Sequence, residues 1–158
     1  MDNESLARVL HDIADALEIK GESFFRIRSY RMSGESVGSH GEDVAGMIRR
    51  GEDLASIPGV GPGIAAKLEE LIETGHCAYH EELLSEIPRS LLDLLKVPGL
   101  GPKGVGLVFR ELGVRSAEDL EAAIADGRFR TLPGMKEKKE ARIRQGLEAR
   151  RAGKRSTT

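Results

Sequence analysis

Two short segments of this 158-residue chain repeat one pattern of proline and glycine. Ile57-Pro58-Gly59-Val60-Gly61-Pro62-Gly63 recurs forty residues later as Val97-Pro98-Gly99-Leu100-Gly101-Pro102-Lys103. A third, degraded copy is Leu132-Pro133-Gly134-Met135-Lys136, in which lysine replaces the second glycine. Because apolar residues at helical spacing precede and follow each full copy, the repeat predicts a unit of helix, tight hairpin and helix.

The pattern suits the binding of phosphate by main-chain atoms. Glycine tolerates positive φ and lets a partner approach closely, and the apolar residue between the glycines is expected to point into its own helices. Pro62 and Pro102 fall where the second helix begins, the position at which a missing N–H costs nothing. An uncrowded helix N-terminus then attracts phosphate through free N–H groups and the helix dipole.

These features predict binding to the DNA backbone without base specificity. The predicted contact residues are Gly59, Gly61, Gly63, Gly99, Gly101 and Lys103. The alternative is a plain connector between antiparallel helices, which a second, nearly identical copy disfavours. A protein-interaction module that keeps this fold without binding DNA is a further alternative.

The elements that must position these hairpins are helices. Leu6, Leu10, Ile13 and Leu17 lie at helical spacing, and Gly21 follows as a stop signal. Similar windows recur at 42–50, 63–74, 80–86, 89–96, 103–112, 116–126 and 136–149. No long stretch alternates apolar and polar residues as a strand would. We therefore predict an all-α fold of short helices in tandem hairpin units, with domains at 1–86 and 87–149 and a basic tail at 150–158.

Composition and charge restrict the function classes. With 39% apolar and 32% charged residues, the chain suits a folded helical protein rather than a disordered one. No apolar run approaches the roughly 20 residues that cross a bilayer, and the single Cys77 cannot form an internal disulfide. A cytoplasmic monomer without membrane contact is expected. Residues 128–158 carry net charge +8, which suits a phosphate-bearing partner or a solubilising end.

The segment before the first hairpin carries a family resemblance. Phe25-Arg26-Ile27-Arg28-Ser29-Tyr30-Arg31, with Leu17-Glu18-Ile19-Lys20-Gly21-Glu22 before it and both hairpins after it, resembles the N-terminal tandem helix-hairpin-helix region of bacterial and archaeal family X DNA polymerases. The resemblance covers roughly residues 4–149. It implies a role in DNA repair and binding of gapped or 5′-phosphorylated DNA, with Arg26, Arg28, Tyr30 and Arg31 on phosphate. Read without the family, the arginines are surface cations and Tyr30 is partly buried.

The resemblance also implies an enzymatic alternative. Some family members use a lysine as the nucleophile of a deoxyribose-phosphate lyase, and the matching residue is Lys67. Such an amine reacts where nearby charge and desolvation lower its pKa. The other interpretation is a surface lysine paired with Glu70. Gly63 stands where the family often has lysine, and His76-Cys77-Ala78-Tyr79 replaces residues that are often basic.

No cofactor is required, but the resemblance implies optional K⁺ or Na⁺ at the full hairpins. The ligands would be the main-chain carbonyls of Ala55, Ile57, Val60, Leu95, Val97 and Leu100. The chain has no Asp-x-Asp pair, so the sequence excludes polymerisation by the family X carboxylate mechanism within these residues. A free-standing DNA-binding protein and a piece of a longer polymerase both fit the sequence.

The repeat itself generates a prediction about its two full copies. Lys103 places a cation beside the second helix start, whereas the equivalent Gly63 adds none. Replacing Lys103 by alanine should cost about 1 kcal/mol of DNA affinity and reduce the salt slope by about one, and Gly63→Lys should strengthen binding to a 5′-phosphorylated gap. Fluorescence anisotropy across a salt series measures both. Identical affinities and slopes for wild type and Lys103→Ala would contradict the assignment.

Overall fold

The structure is a computed structural model that describes residues 1–156, with side chains described for residues 1–153. It separates into two compact units that meet in sequence at Glu86 and Ile87. Within the described residues all regular elements are helices or 3₁₀ turns, which confirms the all-α prediction. Among these helices, none is both long and apolar enough to cross a membrane.

The first unit contains five helices and one 3₁₀ turn. They are α1 (Asn3–Lys20), α2 (Phe24–Gly38), α3 (Val44–Arg49), a 3₁₀ turn (Leu54–Ser56), α4 (Pro62–Thr74) and α5 (Ala78–Glu86). The Asp2 side chain caps α1 by accepting a 2.8 Å hydrogen bond from the Ser5 N–H, and Gly21 ends it in the left-handed region. The loop that carries the first predicted hairpin joins the 3₁₀ turn to α4.

Glycines allow α1 and α2 to pack closely. A Cβ on Gly34 would lie 2.9 Å from the His11 ring, and one on Gly38 would lie 3.3 Å from the Cβ of Ala7. The two glycines are four residues apart and therefore share a helix face. The apolar spacing of the sequence does not indicate α2, because only a few of its residues are buried: Tyr30, Ser33, Gly34 and Val37.

The second unit contains four helices and two 3₁₀ turns in the part that the structure describes. They are α6 (Arg89–Leu92), a 3₁₀ turn (Asp93–Lys96), α7 (Gly101–Leu112), α8 (Ala117–Ala125), a 3₁₀ turn (Phe129–Thr131) and α9 (Glu137–Ser156). The core includes the fully buried Phe129, Leu120 and Ile143. Burial of each such side chain contributes about 1.5–3 kcal/mol. Of the predicted tail at 150–158, the main chain to Ser156 continues α9, and residues 157 and 158 and the side chains from 154 onward lie outside the described residues.

All three copies of the repeat fold as the same turn. In each, the apolar residue after the glycine donates its N–H to the carbonyl three residues earlier, at 3.1, 3.3 and 3.2 Å: Val60 to Ile57, Leu100 to Val97 and Met135 to Leu132. All three donors are buried, which confirms for the two full copies that this residue points into its own helices. The degraded copy is thus a third hairpin that leads into α9.

The close packing of α9 on the second hairpin depends on Gly146. A Cβ at this position would lie 2.8 Å from Cδ of Pro98, an atom of a rigid ring. Gly146→Ala should therefore lower the free energy of unfolding, because overpacking costs of about 1–3 kcal/mol exceed the roughly 1 kcal/mol that alanine gains in a helix.

Gly153 is the matched control, since it lies on the same helix and a Cβ added there would meet no atom within 4 Å. Gly153→Ala should leave stability unchanged or raise it. Denaturant unfolding followed by circular dichroism compares the two variants. A Gly146→Ala variant that is as stable as Gly153→Ala would contradict the close packing of α9 on Pro98.

Candidate nucleic-acid interface

An open groove of about 380 Å³ lies at the first hairpin. One wall is the first half of α2, and the other is the hairpin with the first turn of α4. The α2 wall includes Phe25, Arg26 and Tyr30, and the hairpin wall includes Gly61, Pro62 and Gly63. The structure thus brings together the two sequence segments that were predicted separately to contact phosphate.

The helix starts at both full hairpins carry no side-chain cap. Gly61 precedes α4 and Leu100 precedes α7, and each cap position makes no side-chain hydrogen bond. By contrast, Asp2 and Ser116 cap α1 and α8 with their side chains. Since the first N–H groups of a helix have no partner within the helix, those of α4 and α7 are available to an anion.

The predicted glycines divide into two kinds. A Cβ added at Gly61, Gly63 or Gly101 would meet nothing within 4 Å, so the main chain there is open. Gly59 and Gly99 instead pack against helices of their own units. A Cβ on Gly59 would lie 2.9 Å from Cγ of Met32 on α2, and one on Gly99 would lie 3.1 Å from Cδ of Arg142 on α9.

Both packed glycines also have positive φ, +84° at Gly59 and +90° at Gly99. The first glycine of each hairpin is therefore needed for the turn and for the contact that holds it. At the open glycines that follow, no neighbouring side chain covers the main chain.

Tyr79 on α5 contacts two cationic side chains beside the groove. Its hydroxyl accepts a hydrogen bond from Arg26, and the Nζ of Lys67 lies 5.0 Å from its ring centroid. Its ring stacks on that of Tyr30 with centroids 6.2 Å apart. The sequence did not identify Tyr79 as a site residue; its one signal was its place after the turn that follows α4.

The ion pair between Lys67 and Glu70 that the alternative interpretation expected is absent from the described structure. The Glu70 carboxylate instead accepts a 2.9 Å hydrogen bond from the N–H of Ala78 at the start of α5. Lys67 is half-buried, and its ammonium faces an aromatic ring, which attracts cations. The lysine is held within the cluster beside the groove rather than free on the surface.

The other two arginines predicted on phosphate have different environments. Arg31 forms ion pairs with Asp15 at 2.6 Å and Glu18 at 2.9 Å. Burial opposes its charged form, but the hydrogen bonds and charges of these carboxylates outweigh burial and raise the pKa of Arg31. Arg31 therefore fastens α2 to α1. Arg28 is exposed and makes no hydrogen bond or ion pair within the described residues.

Two histidines and a cysteine, residue types that can bind metal, follow α4 but are engaged elsewhere. His80 lies 3.0 Å from the carboxylate of Asp12, His76 lies 3.0 Å from that of Glu81, and Cys77 is buried. Across the described residues, no group of three histidine, cysteine or acidic side chains is arranged to hold a metal ion. At the hairpins, the carbonyls of Ile57 and Val97 accept one N–H each and keep a second lone pair for a cation. Binding of K⁺ or Na⁺ there stays a prediction.

Comparison with known proteins agrees with this architecture. Residues 1–77 match the family described as a helix-hairpin-helix domain, and residues 91–149 match the SAM-like helix-hairpin-helix tandem. The chain is 32% identical over 147 residues, 93% of its length, to the DNA polymerase/3′-5′ exonuclease PolX of Bacillus subtilis (strain 168). The chain spans only 25% of the length of that relative. These matches confirm the helix-hairpin-helix prediction and the resemblance to family X DNA polymerases.

The tyrosine pair gives a direct test of the groove. The chain has two tyrosines and no tryptophan, so ultraviolet absorbance of tyrosinate reports only Tyr30 and Tyr79. Burial raises the pKa of both phenols, and the Arg26 charge opposes this only in part. Both should ionise at higher pH in the folded protein than in denaturant, and the stability that the neutral phenols provide should be lost as pH rises through the folded pKa values.

Tyr79→Phe should leave a single transition, from Tyr30, still displaced upward. A folded-state titration at or below the titration in denaturant would contradict the burial of these rings.

Proposed function

Because the chain consists of helix-hairpin-helix domains related to those of family X DNA polymerases, we propose that it binds DNA through backbone phosphates with little base specificity. The observation that carries the proposal is the groove of the first unit. There the uncapped start of α4 lies opposite Arg26 and the Tyr30 ring. Main-chain N–H groups and a guanidinium supply charge-assisted hydrogen bonds to one phosphate, each worth about 1.5–3 kcal/mol.

Exposed aromatic rings support a preference for interrupted DNA. Phe24 and Phe25 are 68% and 79% exposed, and their rings lie edge to face with centroids 6.2 Å apart. Phe25 also borders the groove. Stacking of a base on an aromatic ring is worth about 1–3 kcal/mol, and a gap or strand end offers an unpaired or terminal base next to a phosphate. We therefore propose gapped, 5′-phosphorylated DNA as the preferred ligand, and a role in DNA repair.

The second unit fits the same function. The start of α7 has no side-chain cap, Gly101 is open, and Lys103 is exposed in the first turn of the helix. A K⁺ or Na⁺ ion on the hairpin carbonyls would add positive charge facing a phosphate, and we keep it as part of the proposal. Polymerisation is not proposed for these residues, since they contain no Asp-x-Asp pair.

Affinity for DNA should depend on salt and hardly on base sequence. Fluorescence anisotropy should show tighter binding to a gapped duplex with a 5′-phosphate than to the same gap with a 5′-hydroxyl, because the α4 start binds the terminal phosphate. Arg26→Ala should remove most of this difference. Arg8→Ala is the matched control, since Arg8 pairs with Glu4 as Arg26 pairs with Glu22, four residues earlier in each case, but Arg8 does not line the groove.

Equal affinity for both gaps would contradict the end preference but leave backbone binding intact. Affinity that does not change with salt would overturn the proposed function itself.

Lys67 keeps a lyase as the second candidate function. The structure places this amine without a carboxylate partner within the described residues, in the Tyr79 cluster beside the groove. In the reaction, the amine adds to the C1′ carbonyl of an opened deoxyribose and water leaves, which gives an imine. Loss of a C2′ proton then breaks the C3′–O bond and releases the DNA phosphate, and water hydrolyses the imine to free the lysine. Added borohydride reduces the first imine to a stable link between protein and DNA.

Incubation with an incised abasic duplex and borohydride should therefore trap the wild type, and Lys67→Arg should reduce the trapped fraction at least tenfold. No trapping by the wild type would exclude the lyase and leave the proposed DNA binding untouched. Equal trapping by Lys67→Arg would exclude Lys67 as the nucleophile.

A further inference from the structure

Arg142 of α9 packs against the second hairpin. The aliphatic part of Arg142 covers Gly99, with its Cδ 3.1 Å and its Cγ 3.5 Å from where a glycine Cβ would stand. Arg142 is exposed. An arginine in this position buries its methylene groups on the turn and keeps its guanidinium in solvent next to the hairpin.

Neighbouring contacts fix Arg142 in this position. Ile143 is fully buried, and Gly146 brings α9 against Pro98 of the same hairpin. Because Ile143 and Gly146 hold α9 on the hairpin, a rotation of the helix that carried Arg142 away would break these contacts and expose the buried Ile143. The packing of α9, rather than the sequence of the hairpin, therefore places the guanidinium next to the hairpin.

Arg142 also differs in its partners from the other α9 arginines whose side chains are described. Arg144 lies 3.8 Å from Glu140, Arg150 lies 4.0 Å from Asp93, and Arg151 is hydrogen-bonded to Glu121. Within the described residues, Arg142 makes no hydrogen bond or ion pair. Its charge is therefore available to an anion, whereas each of these three neighbours lies near a carboxylate.

The first hairpin shows what the same position looks like without a cation. Gly59, the counterpart of Gly99, is covered by Met32, whose Cγ and Cβ lie 2.9 and 3.2 Å from where a Cβ on that glycine would stand. Both hairpins thus hold an unbranched side chain on the first glycine, but only the second one carries a charge there. Packing alone does not require that charge.

We propose that Arg142 is a phosphate-binding residue of the second hairpin, acting together with Lys103 on the DNA backbone. The inference rests on the proposed DNA binding and names a residue that the hairpin motif does not contain. Lys103 supplies a cation from the start of α7, and Arg142 supplies one over the glycine of the turn. A phosphate at this hairpin then has cations from two helices of the unit.

Arg142→Met is the sharpest test, because methionine keeps an unbranched stem on Gly99, as Met32 does on Gly59. Measured by anisotropy on a fluorescent duplex, it should weaken binding about five- to tenfold and lower the salt slope by about one. Arg142→Lys should preserve most of the slope. Arg151→Met, on the same helix with its charge compensated by Glu121, should leave both quantities unchanged.

The double variant Lys103→Ala/Arg142→Met should lose about two from the salt slope if each cation neutralises one phosphate. Met32→Arg should add about one by copying the arrangement into the first hairpin. Wild-type affinity and slope for Arg142→Met, alongside weaker binding by Lys103→Ala, would overturn this inference and leave the proposed function standing. Salt-independent binding by the wild type would overturn both.

Discussion

The close contact between each full hairpin and a neighbouring helix, made over a glycine without a side chain, is the constraint on which the rest of the structure depends. Met32 of α2 presses on Gly59, and Arg142 of α9 presses on Gly99. A turn that binds a ligand through main-chain atoms must be rigid before the ligand arrives, since ordering it on binding would cost about 1–2 kcal/mol per residue. The packed glycine supplies that rigidity.

This contact explains why the residues of each hairpin have different roles. A side chain on its first glycine would meet the neighbouring helix, and the apolar residue after that glycine is buried, whereas a side chain on the next glycine would meet nothing within 4 Å. In the first unit, the helix that presses on the turn, α2, also carries Arg26 and Tyr30 to the groove. In the second unit, α9 presses on the turn and carries Arg142. In each unit, the element that holds the hairpin also adds side chains to its surface.

The sequence predicted what its local patterns encode. The repeat predicted the hairpins and the burial of Val60 and Leu100, and apolar spacing predicted most of the helices. It did not indicate α2, whose packing depends on glycines against α1 rather than on an apolar stripe. Other contacts join residues that are far apart in the chain, so no local sequence pattern predicts them. They are the ion pairs of Arg31, the contacts of Tyr79 and the contact of Arg142 with Gly99.

Amide NMR tests most directly whether the open main chain of the hairpins binds phosphate. On titration with a 5′-phosphorylated gapped duplex, the N–H resonances of Gly61, Gly63 and Gly101 should shift strongly, as those of groups that form charge-assisted hydrogen bonds do. Gly75 and Gly113, open glycines at the ends of α4 and α7, serve as internal references and should shift little. Shifts confined to lysine- and arginine-rich segments, with the hairpin glycines unmoved, would contradict the account.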